Sequence, residues 1–274
     1  MKFMERRSFY RRKPQVTPAA ARTSWEGSKQ WYSALVGQDG HYYHRQVVLP
    51  GSLAMLQLKG GERLLDLGCG NGVLARKIPK PALYFGVDAS QGLIDHAKES
   101  AAGVERYLIA DACGPLKELP KDFTHATCIL ALQNMQHADR LIQNASNHLV
   151  AGGTFLIVIN HPAFRIPRSS GWGEDRERKI QYRRLDSYMS PQEIAIQMHP
   201  SQQEESEVTY TFHRPLSLYM HYLQKAGFVI SCLEEWCSDK KSEGGKARME
   251  DRARAEFPLF LAIKAEKRHS LSKD

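Results

Sequence analysis

Residues 64–72, LLDLGCGNG, constrain this chain more than any other stretch. An apolar run passes into glycines spaced G-x-G-x-G, which is how an open parallel sheet ends a strand and offers bare backbone to a nucleotide-like ligand. From Glu62 onward short apolar runs alternate with helical stretches, the pattern of a doubly wound α/β sheet. The pattern predicts seven strands, over residues 63–67, 83–87, 104–109, 126–131, 154–159, 229–233 and 259–264. Helices are predicted over 72–78, 91–101 and 139–149, and over 216–226 with Pro215 as its first residue and Gly227 as its stop. Residues 161–214 break the rhythm after the fifth strand. They are too long for a structureless loop and read as a small lid with strands over 179–185 and 207–212.

The glycine spacing and its acids discriminate between ligands. A dinucleotide fingerprint reads G-x-G-x-x-G and receives pyrophosphate, whereas here Gly68, Gly70 and Gly72 alternate. Asp66 stands two residues before Gly68. A carboxylate there repels pyrophosphate and favours an ammonium or sulfonium, and S-adenosylmethionine carries both. Asp88 follows Gly68 by 20 residues at the end of the second strand, placed for ribose hydroxyls. Asp111 ends the third strand, placed for an adenine amino group, with the Ala112 amide beside it. Any one of these acids reads equally well as a helix cap. Three at successive strand ends around one glycine loop point to S-adenosylmethionine rather than NAD.

Residues 62–159 resemble the core of a class I S-adenosylmethionine-dependent methyltransferase. LLDLGCGNG resembles the first motif of that family, GVDAS the second, ADAC the third, and LALQNMQH with LVAGGTFLIVI the later ones. Through YYHRQVVLP and HRPLSLYMHYLQKAGF the likeness extends to ubiquinone/menaquinone-type and related small-molecule methyltransferases. The resemblance implies a Rossmann-like, seven-stranded, mostly parallel sheet with its last strand antiparallel. It implies S-adenosylmethionine as cofactor and S-adenosylhomocysteine as product. Residue by residue, it implies Asp66, Gly68 and Gly70 on the methionine and ribose side, Asp88 on ribose, and Ala89 beside adenine. Asp111 and Ala112 would hold the adenine ring, Ala131 and Gln136 would lie under the sulfonium, and Cys69 would pack.

Four segments follow: a basic arm and helices (1–40), the cofactor-binding core (41–160), a substrate lid (161–214) and the C-terminal part of the core sheet (215–267). Within 14–60, helices are expected, with Leu53, Leu56 and Leu58 packing on the sheet. Residues 41–50, HYYHRQVVLP, are expected over the cofactor mouth, Arg45 pairing with the methionine carboxylate and Tyr42 or Tyr43 walling the methyl group. His161 leaves the fifth strand and His213 closes the lid, so topology brings both to one cleft as base or substrate anchor, with His137 a third histidine nearby. Residues 238–256 are charged and read as a mobile loop.

Composition narrows the partners. Of the net +8, residues 1–13 carry +5, leaving +3 for the rest, so the basic signal is a tail and not a face. The segment after the fourth strand, LQNMQH, lacks an Asn/Asp-Pro-Pro-aromatic run, and Pro-Cys is missing, which disfavours nucleic-acid base methylation. Five cysteines without framework or zinc-site spacing suit a reducing compartment and no metal. No apolar run approaches the ~20 residues of a membrane span, and residues 1–14 lack the apolar core of a signal peptide. The expectation is a cytoplasmic enzyme with a small or medium organic acceptor, its Arg-rich start leaving organellar import open. Two alternatives stay open: a tRNA or protein methyltransferase using the basic arm, and a protein that binds the cofactor without catalysis.

Overall fold

The computed structural model describes residues 40–79, 83–101, 103, 105–197 and 208–269. The basic arm at 1–13 and the helices expected over 14–39 lie outside the described residues. Seven strands form one sheet: β1 (Arg63–Leu67), β2 (Leu83–Asp88), β3 (Arg106–Ile109), β4 (Phe123–Ile129), β5 (Leu149–Asn160), β10 (Phe228–Trp236) and β11 (Phe260–Lys267). Their order is β3-β2-β1-β4-β5-β11-β10. The pairs β1–β2, β2–β3, β1–β4 and β4–β5 are parallel, and β11 runs antiparallel to both β5 and β10. This is the doubly wound sheet expected, with the final strand reversed.

Both faces of the sheet are covered, which is why its central strands read as continuous apolar runs. Side chains alternate across a strand. On β5, Phe155, Ile157 and Ile159 join the core under α3 (Ala138–His148) and α4 (Leu216–Lys225), while Leu156 and Val158 face α1 (Leu49–Leu56). Helix α3 places Leu141, Ile142 and Ala145 on its sheet-facing stripe, all fully buried. Leu56 is buried and Leu53 and Leu58 pack against the same layer. Helix α2 (Gln91–Glu99) starts where the Ser90 side chain accepts the Leu93 amide at 3.2 Å.

The structure corrects three local expectations. Residues 72–78 form successive turns in place of a helix. Gly70 and Gly72 hold positive φ and Pro79 follows Ile78, so the stretch is pinned at both ends against a regular helical series. Pro215 caps α4 from outside it, in extended conformation, and Gly227 follows at φ +83°. The loop expected over 238–256 contains α5 (Ala247–Glu256), whose few buried side chains explain its weak periodic signal.

The lid segment holds two antiparallel hairpins rather than two isolated strands. One pairs β6 (Ser170–Asp175) with β7 (Ile180–Leu185), the other β8 (Gln192–Gln197) with β9 (Val208–His213). Among the described residues no helix is long and apolar enough to cross a membrane.

Candidate active site

Strand order reverses between β1 and β4, and ligands of such sheets bind outside the carboxyl ends of the strands at that switch point. Strand β1 runs into Gly68, Gly70 and Gly72 at φ +79°, +54° and +73°, a left-handed region that side chains resist. The turn is laced to β2: the Gly68 and Cys69 amides donate to the Val87 carbonyl at 2.8 and 3.1 Å. The Gly70 and Ser90 amides donate to the two Asp88 carboxylate oxygens at 2.9 Å each. Cys69 packs in the turn, its thiol pushed well up by burial and neighbouring carboxylates.

Beyond β4, Leu130 takes φ +54°, a costly conformation of order 1–3 kcal/mol for a non-glycine residue. It is held there from both sides. Its amide donates to Val158 at 2.7 Å and its carbonyl accepts from the Gln133 side chain at 2.7 Å.

Between these turns lies a cavity of about 310 Å³. Gly68, Gly70 and Asp88 form one wall, Leu93, Ile129 and Ala131 an apolar one. Gln133, Asn134 and Asn160 add polar groups, and His41, Tyr43, His44 and Arg165 border the mouth. The lining carries two orphans: His44 Nδ1 and Gln133 Oε1 are buried without a hydrogen-bond partner. Such groups in a native interior call for a ligand or water. Burial, and secondarily His41, brings the His44 pKa down to about 4. His41 is lowered by burial and then by Arg165 and Lys240, so both imidazoles face the cavity uncharged at neutral pH.

Of the residues singled out by sequence, Gly68, Gly70, Asp88 and Ala131 line this cavity, as does Tyr43. Others lie elsewhere. Asp66 is buried beside the turn, its oxygens accepting the Tyr84 hydroxyl at 2.6 Å and the Thr127 hydroxyl at 2.8 Å. It is therefore a brace between β1, β2 and β4 and not part of the cavity wall. Asp111 and Ala89 are exposed at strand ends outside the lining, and Asp111 accepts the Cys113 amide at 2.8 Å. Ala112 is buried, its carbonyl taken by the Asn144 side chain at 2.8 Å. Gln136 is absent from the lining and its carbonyl accepts from Arg214 at 2.8 Å; Gln133 and Asn134 stand at the cavity instead. Arg45 is exposed and absent from the lining, and Arg165 is the arginine at the mouth.

The two histidines separate. His161 Nδ1 accepts the Ala163 and Phe164 amides at 3.2 and 3.3 Å, so Nε2 carries the proton and donates to Glu235 at 2.7 Å. Neither nitrogen has a lone pair to spare, and the ring stacks on Phe164 with centroids 4.7 Å apart. The ring is thus held by neighbours at both nitrogens. His213 Nε2 donates to the Tyr188 carbonyl at 2.7 Å, which leaves Nδ1 as the unprotonated nitrogen, and burial lowers its pKa. It lines a narrow side cavity of about 40 Å³ that shares Gln133, Asn160 and Arg165 with the main one.

The sequence reading missed His41, His44, Gln133 and Arg165. The first two sit in the quoted HYYH run at one-turn spacing, a usable signal; Arg165 follows NHPAF without any periodic mark.

Burial holds the Asp66 pKa up at about 6, against opposing hydrogen bonds from Tyr84 and Thr127. The folded chain therefore binds a proton that the unfolded chain releases near pH 4, and stability falls as pH rises from about 4 to 6. Its ionisation costs about 3 kcal/mol by pH 7. Asp66→Asn is expected to flatten urea-derived stability across that window; an unchanged pH slope contradicts the assignment.

The family model described as a methyltransferase domain matches residues 64–153. A solved S-adenosylmethionine-dependent methyltransferase from Mesorhizobium loti is 28% identical, covers 80% of this chain and 96% of its own, and superposes with a TM-score of 0.62. Residues 64–153 thus match a methyltransferase domain, and the chain is similar in fold to S-adenosylmethionine-dependent methyltransferases. A second such structure, from Listeria monocytogenes, shares the fold at 23% identity and a TM-score of 0.61, covering 80% and 99% of the two chains. Ubiquinone biosynthesis O-methyltransferase from Coxiella burnetii is 35% identical over 105 residues, 36% of this chain. The chain spans 44% of the length of that relative.

The cavity of the methyltransferase domain fits its cofactor in kind. It offers the side-chain-free backbone of Gly68 and Gly70, a carboxylate at the end of β2, an apolar wall, and orphaned polar atoms on His44 and Gln133. Among the described residues no cluster of His, Cys, Asp and Glu is arranged to hold a metal ion.

Proposed function

We propose that the chain transfers a methyl group from S-adenosylmethionine to a small or medium organic metabolite. The carrying observation is the cavity at the switch point, where Asp88 and the glycine turn face uncharged imidazoles and Arg165. When bound, S-adenosylmethionine supplies an activated methyl group: the carbon–sulfur bond breaks toward sulfur as the acceptor's lone pair bonds the carbon. The protein's task is alignment and exclusion of water. In this reading the Asp88 carboxylate accepts ribose hydroxyls, Leu93 and the apolar wall take the adenine side, and Asn134 and Gln133 face the methionine side. The lid segment, 161–214, selects the acceptor.

An acceptor atom that carries a proton near neutral pH needs a base. His213, with its free Nδ1 and lowered pKa, is the residue this reading assigns. His213→Ala is expected to cut turnover about 10²-fold or more with cofactor affinity unchanged; unchanged turnover sinks the assignment. His161 is a positioning residue, so His161→Ala should raise KM through Phe164 and leave the pH profile of kcat in place.

The test of the whole reading is methyl-labelled S-adenosylmethionine incubated with the full chain and a cell extract, followed by separation of small molecules, RNA and protein. Label in the small-molecule fraction supports it. Label in RNA or protein that disappears when residues 1–13 are deleted and falls steeply with salt replaces it with the macromolecular alternative. Cofactor binding without label in any fraction favours a non-catalytic binding protein.

A further inference from the structure

Beside the main cavity lies a second one of about 240 Å³, reached past Tyr43 and Arg165, which line both. Its walls are rings. Phe257 meets Phe164 edge-on with centroids 5.4 Å apart, and Trp172 edge-on at the same distance. Phe164 is backed by the His161 ring, itself fixed by Glu235. The aromatic box is thus assembled from the loop after β5, from β6 of the lid and from the turn after α5.

Two guanidiniums enter this box. Arg183, on β7, lies 4.8 Å over the Trp172 ring and donates to the Phe164 carbonyl and, at 2.9 Å, to the Ser170 hydroxyl. Its Nε is buried with no partner. The Arg165 guanidinium rests over Phe260 at 5.6 Å and makes no hydrogen bond or ion pair among the described residues. Nearby acids are engaged elsewhere: Glu235 with His161, Glu174 with Lys246 at 2.7 Å, and Asp175 with Arg178 at 3.8 Å. Burial lowers the Arg165 pKa, with Tyr43 opposing the shift and Arg183 adding to it. A guanidinium left unpaired beside a second one fits a carboxylate, which it binds with two parallel N–H donors.

We propose that this aromatic box is the acceptor subsite and that the acceptor is a small aromatic carboxylic acid, its carboxylate on Arg165 and its ring against Phe164, Trp172 and Phe257. The nucleophilic substituent then points past Tyr43 toward the main cavity. The substrate class rests on the methyl-transfer reading, but occupancy of the box does not, because Phe164, Trp172, Arg183 and Phe257 line the box and not the main cavity.

The test uses benzoate as probe on the full chain, followed by quenching of tryptophan fluorescence, with Trp172→Phe identifying the reporter. Benzoate is expected to quench saturably, and Trp172→Phe to remove most of the signal. Arg165→Met is expected to shift the midpoint at least tenfold. Arg165→Lys keeps the charge without the fork, should fall between, and stands in if the methionine variant does not fold. Benzyl alcohol, with the ring but no charge, and cyclohexanecarboxylate, with the charge but no planar ring, should each bind at least tenfold more weakly. No saturable quenching, an unmoved midpoint in the Arg165 variants, or equal binding of either comparator overturns the proposal. Benzoate binding in a chain that fails to bind S-adenosylmethionine would remove the methyl-transfer reading and leave the subsite. Cofactor binding without benzoate binding would do the reverse.

Discussion

Gly68→Val is expected to abolish S-adenosylmethionine binding and to lower the melting temperature of the chain. At φ +79° a side chain is already strained, by roughly 1–2 kcal/mol for an ordinary residue and more for a β-branched one. A Cβ there would also stand 2.6 Å from Ala131 Cβ and 3.1 Å from Met135 Cε, inside contact distance of two groups that end β4. Overpacking of this kind costs about 1–3 kcal/mol. The combined penalty is a large fraction of the roughly 5–15 kcal/mol that stabilises a domain. It also displaces the Gly68 and Cys69 amides from Val87, and with them the Gly70 amide that Asp88 accepts. Gly61→Ala is the control, since Gly61 has φ +85° but open space around a Cβ. It should lose only the conformational term and keep cofactor binding. Calorimetric melting and titration of both variants check this; equal losses in the two would assign the effect to backbone strain alone.

Asp88→Ala is the second large effect. Two backbone amides, of Gly70 and Ser90, lose their acceptor at once, and in the proposed reading the ribose hydroxyls lose theirs. Hydrogen bonds to a charged group contribute about 1.5–3 kcal/mol each, so cofactor affinity should fall about 10²-fold or more. Asp88→Asn retains one acceptor oxygen and should lie between the two. An affinity within threefold of the parent in Asp88→Ala would remove Asp88 from the site. Stability should fall as well, since the Gly70 and Ser90 amides lose a charged acceptor, so affinity is read on a variant whose melting curve shows it folded.

The sheet was legible because its signals are local and periodic. Each predicted strand appears with its ends displaced by a few residues: β5 begins five residues before its predicted start, and β4 ends two residues before its predicted end. The glycine turn and Asp88 were legible because backbone that must take positive φ selects glycine, and the acid at the end of β2 faces that turn. Asp66 lies outside the cavity lining, and a strand position shows only that its side chain points to one face. It does not show that Tyr84 and Thr127 wait on that face. Arg165 depended on how the loop after β5 folds back over the sheet, which no spacing encodes, whereas the one-turn spacing of His41 and His44 was there to be read. The strained Leu130 is a further case: a leucine carries no mark of a left-handed backbone, and only the clasp of Val158 and Gln133 imposes it. His161 and His213 looked alike in sequence and differ only in which nitrogen their neighbours occupy.

Isothermal titration of the full chain with S-adenosylmethionine, and separately with NAD, tests the central claim most directly. The account predicts a saturable one-to-one heat with S-adenosylmethionine, weakened strongly in Asp88→Ala, and none with NAD. Binding of NAD, or a chain that melts as a folded protein yet shows no heat with S-adenosylmethionine, would contradict it.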